Sequence, residues 1–282
     1  MRKEIGSSHV EAINASPELF DGQAGFFEQR AGLPVDCCRE VAKRVVEVGE
    51  AGAGDLIVEV GSGTGQIGQW FEASVRYVGF DLSAGMLKEF RRHLGVGSSH
   101  RMLVQADANG SWPLLDGAAR VIFSSRAMHL LDHERVAPEV FRIASPAGAT
   151  LILGRVERTH DSIRNRMAQE MNERLLRRGF EGRRGERRNR KLIEACVRRG
   201  AEILEPVAVA TWSVSASPRQ SLDSWRRLTG LGGIPVPATV RAEVLRELEV
   251  WAEEEFGGLD REFESEETYV LKSLRVPPTH AA

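Results

Sequence analysis

Cysteine is scarce in this chain. Cys37, Cys38 and Cys196 are the three thiols in 282 residues. Three cysteines cannot build a disulfide framework, and an adjacent pair lacks the spacing of a zinc site. No metal site is expected, and a reducing cytoplasm is the natural compartment. Long apolar runs are missing too. Nothing approaches the ~18 consecutive apolar residues that span a bilayer. The first 20 residues carry Arg2 and Lys3 but no apolar signal-peptide core, so no membrane partner is expected. Excess charge of either sign is absent: 38 Lys and Arg against 40 Asp and Glu leave a net charge of -2, which excludes an overall basic field for nucleic acid. Lysine itself is rare (Lys3, Lys43, Lys88, Lys191 and Lys272), so arginine carries the positive charge. Internal repeats and low-complexity tracts are also absent.

What is present is an alternation. Val41, Ala42, Val45, Val46 and Val48 suit one face of a helix, and Gly52, Gly54 and Asp55 end it. Leu56 to Val60 is a short β-branched run, read as a buried strand. Further strands are expected at 77–80, ending at Asp81, at 102–104, at 121–123 and at 150–153. Between the second and third, Ser83 can cap a helix carrying Met86, Leu87, Phe90 and Leu94. Strands alternating with helices predict an α/β fold with a doubly wound, largely parallel sheet.

After the fifth strand the character changes. Residues 155–200 hold 15 Arg and Lys against 7 Asp and Glu, whereas residues 241–267 hold 11 Asp and Glu against 3 Arg. The Arg-rich run from 177 to 191 is read as solvated or paired with the acidic segment. Aromatic residues do not interleave with it, as an RNA-stacking platform requires. Helical stripes at Ile163, Met167, Met171 and Leu175, and at Val240, Val244, Leu248 and Trp251, predict a helical lid over 157–258. That segment includes one strand near 203–212, and a last strand lies within 264–275. The chain thus divides into residues 1–35, a core over 36–156, the lid over 157–258, and a final strand and tail over 259–282.

The most informative stretch is Glu59-Val60-Gly61-Ser62-Gly63-Thr64-Gly65, which follows a strand and is expected to open a helix. Glycines there permit a tight turn and let a ligand approach the backbone. Gly63 to Gly68 also fits G-x-G-x-x-G, the dinucleotide fingerprint, but two residues late relative to the strand. Asp81 ends the second strand, where a carboxylate accepts hydrogen bonds from ribose hydroxyls. Asp107 follows the third strand and can accept from an adenine amino group. Glu59 puts negative charge near the loop, which suits a cationic ligand better than a pyrophosphate.

In these motifs residues 36–156 resemble the class I S-adenosylmethionine-dependent methyltransferases of small-molecule type, similar to those of ubiquinone and menaquinone pathways. The resemblance implies a Rossmann-like, doubly wound seven-stranded sheet with the last strand antiparallel. It implies S-adenosylmethionine as cofactor, held by Glu59, Gly61, Ser62, Gly63 and Gly65 of the first motif. Asp81 with Leu82 would serve the ribose, Asp107 with Ala108 the adenine, and Ser124 would border the site after the fourth strand. Phe20-Asp21 and Phe26-Phe27 look like the N-terminal segment that folds over the cofactor. One departure is Arg120, where the family often has Asp.

Methyl transfer is an in-line displacement that needs a base only if the acceptor must first lose a proton. His129, following the fourth strand, is the candidate general base. His133, in Asp132-His133-Glu134, reads as an exposed helix start, and His160 as a weaker candidate. Arg126 can bind an anionic acceptor or serve in a structural ion pair. The expected function is methyl transfer to O, N or C of a small-molecule acceptor. The alternatives are an NAD(P)-dependent oxidoreductase, using the register that begins at Gly63, and a non-catalytic S-adenosylmethionine-binding module. A nucleic-acid acceptor is disfavoured, since the residues after the fourth strand are Ser124-Ser125-Arg126-Ala127. Monomer and homodimer stay equally open.

Overall fold

A computed structural model describes residues 32–94, 100–182 and 185–278, apart from the side chains of residues 129 and 185–187. The predicted N-terminal segment over the cofactor, Phe20 to Phe27, lies outside the described residues.

The sheet is built from β1 (Leu56–Val60), β2 (Arg76–Asp81), β3 (Arg101–Gln105), β4 (Val121–Ser125), β5 (Ala149–Arg158), β6 (Glu202–Ile203), β7 (Val207–Ala216) and β10 (Phe263–Val276). Its order is β3-β2-β1-β4-β5-β10, with both β6 and β7 on the far edge of β10. Neighbours from β3 to β5 run parallel, and β10 is antiparallel to β5, β6 and β7. β10 pairs with β7 along Phe263–Leu271 and with β6 at Leu274 and Arg275, so β6 and β7 fill one edge position in series. The sheet therefore has the expected seven positions and antiparallel last strand, with one position split. Pro206 sits at the split, and a proline has no N–H to give to a ladder.

Every residue of β1 is buried. That is the signature of a central strand covered on both faces. Its alternation sorts the core. Leu56, Val58 and Val60 face α3 (His133–Ile143) and α5 (Gly185–Val197) through Val136, Val140, Leu192 and Ala195. Ile57 faces α1 (Val35–Val48) through Val41 and Val45, alongside Phe90 of α2 (Ala84–Leu94), Tyr77 and Phe123. A third cluster joins α4 (Ile163–Arg177), α6 (Pro218–Arg226) and α7 (Ala238–Phe256) around Met167, Leu175, Leu222, Val244 and Leu248. A two-stranded ribbon, β8 (Gly230–Leu231) and β9 (Ile234–Pro235), adjoins it. The segment read as one lid thus divides: α5 packs on the sheet beside α3, and α4, α6 and α7 have their own core. Charge holds that core's surface. Glu247 of α7 accepts from Arg178 at 2.6 Å and from Arg174 of α4 at 3.1 Å. The acidic and Arg-rich segments therefore pair at these positions.

One expectation fails. No α-helix follows the glycine loop; the residues between β1 and β2 form only a 3-10 turn, Gly68–Trp70. Gly68 has no room for a side chain there, because a Cβ would lie 2.4 Å from the Tyr77 hydroxyl and 2.7 Å from Glu59 Oε2.

Candidate active site

Strand order reverses between β1 and β4, which opens a crevice at the carboxyl ends of the strands, where open α/β sheets bind ligands. A cleft of about 300 Å³ occupies this place. Its wall takes residues from the glycine loop, the ends of β2, β3 and β4, and α2.

The glycine loop divides by role. Gly63 has φ +54°, and a Cβ there would meet nothing within 4 Å, so the loop leaves open space on the cleft side. Gly65 has φ +78°, but a Cβ there would lie 2.0 Å from the Phe90 ring. Gly65 is therefore required by packing, and it is not part of the cleft lining.

Asp81 locks the loop to β2. One carboxylate oxygen accepts from Gly63 N–H and the other from Ser83 N–H, both at 2.9 Å. The residue lines the cleft beside Leu82. Asp107 accepts from Asn109 N–H at 2.8 Å, forming a local turn at the mouth. Ala108 lines the wall next to it, and its carbonyl accepts from the Trp112 indole at 3.0 Å.

Glu59 forms part of the cleft floor. It is fully buried and accepts from the Tyr77 hydroxyl at 2.5 Å. Burial pushes its carboxyl up to about 8, with the nearby Asp81 charge adding to the rise and the Tyr77 hydrogen bond opposing it. At neutral pH Glu59 is therefore mostly protonated in the free protein. The sequence places a charge near the loop; burial removes it.

Ser124 does not enter the cleft. Its hydroxyl donates to the Val60 carbonyl at 2.8 Å and is buried, tying β4 to β1. This corrects its reading as a site-bordering residue, because side chains alternate along a strand and Ser125 takes the cleft position. His129 lies in a 3-10 turn, Met128–Leu130, whose neighbours Ala127 and Leu130 line the cleft. Its side chain is outside the described residues. His133 opens α3, behind an Asp132 cap that accepts from Glu134 N–H at 3.0 Å. His160 is exposed, between β5 and α4. Arg120 sits at the opposite end of β4, where it donates to the Gly148 carbonyl at 3.0 Å.

Three lining residues carry more than their sequence signal showed. Arg126 is partly buried in the wall and donates to the Gln66 side-chain carbonyl, and Ser62 presents a buried hydroxyl oxygen with no hydrogen-bond partner. The only signal for Arg126 was its place just past a strand end.

Comparison with known proteins agrees with this geometry. Residues 57–148 match a family described as a methyltransferase domain. Over those residues the chain is similar to methyltransferase domains. A malonyl-[acyl-carrier protein] O-methyltransferase of Serratia marcescens is 28% identical over 139 residues, covering 49% of this chain and 51% of the relative. The chain thus spans about half the length of that curated relative. Among solved structures, a type II methyltransferase of Anaeromyxobacter dehalogenans, so described provisionally, has a TM-score of 0.55 at 17% identity, covering 86% of this chain and 97% of its own. A protein of Bacillus halodurans C-125, also provisionally described as a methyltransferase, has a TM-score of 0.53 at 19% identity, covering 84% and 98%. These two share the fold.

The residues of the cleft fit S-adenosylmethionine as cofactor. Acidic acceptors sit at the β2 and β3 ends, open space lies over Gly63, and the unpartnered Ser62 oxygen is buried in the same wall. A dinucleotide fits less well: the 3-10 turn offers no long helix N-terminus for a pyrophosphate. Among the described residues no cluster of His, Cys, Asp or Glu could hold a metal, and no helix is long and apolar enough to cross a membrane.

Proposed function

We propose that the protein is an S-adenosylmethionine-dependent methyltransferase acting on O, N or C of a small-molecule acceptor. One observation carries this reading. The Asp81 carboxylate is fixed by Gly63 and Ser83 N–H groups at the mouth of a cleft, beside a glycine with open space above it. Asp81 would accept from the ribose diol, with Leu82 against the sugar. Asp107 and Ala108 would take the adenine edge, and Gly61, Ser62 and Gly63 the amino-acid tail. When bound, the cofactor supplies the activated methyl group and its own leaving group. The chain contributes alignment and the exclusion of water from an apolar wall of Ile67, Phe80, Met86 and Leu130. His129 is the proposed base for an acceptor that must lose a proton.

Titration calorimetry with S-adenosylmethionine, S-adenosylhomocysteine and NAD tests the assignment. Binding of the first two, weakened in Asp81→Ala, supports it; binding of NAD alone overturns it. An acceptor panel read by mass gain of a methyl group follows. Because the relative from Serratia marcescens acts on malonyl-[acyl-carrier protein], malonyl thioesters belong in that panel. Cofactor binding without any methyl gain would favour a binding module instead.

A further inference from the structure

Outside the cofactor cleft, the carboxyl end of β5 carries a second group of charges. Register places Arg158, Glu267 and Trp212 in one row across β5, β10 and β7, and Val156, Tyr269 and Ala210 in the next. Residues paired across strands share a face, so both rows lie on the side of the sheet that α1 covers. The second row reaches the cleft. The Tyr269 hydroxyl lies 2.6 Å from the hydroxyl of Ser125, a residue of the cleft wall, and a Cβ at Gly154 would strike it. In the first row Glu267 is buried, and a single oxygen of it accepts from Arg158 Nε at 2.7 Å and from Arg164 Nη1 at 2.8 Å. Asn165 donates to the Thr159 carbonyl at 2.9 Å, which closes the connection from β5 to α4 and holds Arg164 beside the strand end. The charges do not balance, because two guanidinium groups share one carboxylate. Glu157 accepts instead from Arg155 at 2.9 Å, and Asp161 and Glu266 line a separate pocket with Phe256 and Phe263. Among the described residues neither Arg158 nor Arg164 has another hydrogen-bond or ion-pair partner, and both side chains are more than a third exposed. Their remaining N–H donors therefore face solvent.

We propose that Arg158 and Arg164, held together on Glu267, bind an oxyanion of the methyl acceptor, a carboxylate or a phosphate. The proposal rests on the methyltransferase reading and adds the charge class of the acceptor. Two guanidinium groups that meet on one oxygen are close enough for an external anion to bridge them, and their planar forks match its oxygens. Buried Glu267 holds them in place before a ligand arrives, so less side-chain freedom is left to lose on binding. Val156 and the partly buried Trp212 give the pair an apolar floor, and Ser125 lies at the cleft end of the same face. An acceptor laid along this face has its anionic end on the arginine pair and its other end at the cleft, where the cofactor supplies the methyl group. Burial lowers the Arg126 pKa and the Arg158 charge adds to that fall, so the pair lies within electrostatic reach of the cleft wall.

The test compares the full chain with Arg158→Gln and Arg164→Gln. Removing either arginine leaves the other neutralised by Glu267. Arg219→Gln removes an arginine paired with Asp260 elsewhere and controls for the change in net charge. Hexanoate, hexyl phosphate and neutral hexanol are titrated into each protein at low salt, free and saturated with S-adenosylhomocysteine. Wild type should prefer at least one anion over hexanol by about tenfold, the worth of a charge-assisted contact. The preference should persist with S-adenosylhomocysteine bound, vanish in both arginine variants and survive in Arg219→Gln. The stronger anion then names the group on the acceptor. Absence of a preference in wild type, its survival in either arginine variant, or its equal loss in Arg219→Gln overturns the proposal. So does displacement of the anion by S-adenosylhomocysteine, which would put it in the cofactor cleft. Should wild type bind no S-adenosylhomocysteine, the methyltransferase reading fails separately, and the anion comparison on the free protein still decides the arginine pair. If one arginine variant does not fold, the other carries the test.

Discussion

Replacing Glu59 by Gln should flatten the dependence of stability on pH. The Glu59 carboxyl titrates near 4.5 when unfolded and at about 8 in the folded protein, chiefly because burial penalises its charge. Between these values the folded state binds a proton that the unfolded state has released. The stability contributed by the neutral carboxyl is fully present below pH 4.5 and is lost as pH rises through 8. The window spans roughly 3.5 pH units, and at about 1.4 kcal/mol per unit the loss is on the order of 5 kcal/mol. A Gln at this position still accepts from Tyr77 but does not titrate. Its extra buried N–H donors cost about 1–3 kcal/mol at every pH. The slope, not the level, is therefore the readout. Urea unfolding of both proteins at 25 °C from pH 5 to pH 9 gives the difference in stability at each pH. The variant should gain on wild type steadily up to about pH 8 and then run parallel to it. A difference that stays constant from pH 5 to pH 8 would refute the reasoning, since it would mean that Glu59 is ionised in the folded protein throughout.

Asp81→Ala removes the acceptor that holds Gly63 and Ser83 N–H groups, and cofactor affinity by calorimetry should fall about tenfold to hundredfold. Gly63→Ala and Gly65→Ala should separate ligand from packing. Both pay for a left-handed backbone, but a Cβ at 65 strikes the Phe90 ring, so Gly65→Ala should lose about 2–3 kcal/mol more in chemical denaturation. Gly63→Ala should instead lose cofactor affinity out of proportion to stability. Glu247→Ala removes a carboxylate that Arg174 and Arg178 share at the α4–α7 contact, leaving them Glu170 and Glu243, and should cost about 1 kcal/mol in thermal unfolding, with a smaller effect in 0.5 M salt.

The core order was legible because its signals are local. Five short apolar strands, the glycines at 61, 63 and 65, and acids at or just past the strand ends are patterns of neighbours along the chain. They suffice for a doubly wound sheet and for the place of its cleft. The missing helix after the loop was not legible, because Gly68 is forced by the approach of Tyr77 and Glu59 from β2 and β1. The split of the edge strand depends on two stretches pairing in series with β10, and α5 reads like a lid helix until its Leu192 and Ala195 are seen against the sheet.

The site shows the same division at the level of single side chains. Sequence alone determined that Glu59, Asp81 and Asp107 gather at one end of the sheet, since topology carries each strand end there. Only the tertiary structure decided what each group is at that place. Ser124 turns away to the Val60 carbonyl, Glu59 loses its charge to burial under the loop, and Arg126 becomes a desolvated cation in the cleft wall. Chain order sets which residues meet, whereas side-chain direction and solvent exclusion come from elements distant in sequence, and those set protonation and hydrogen bonding.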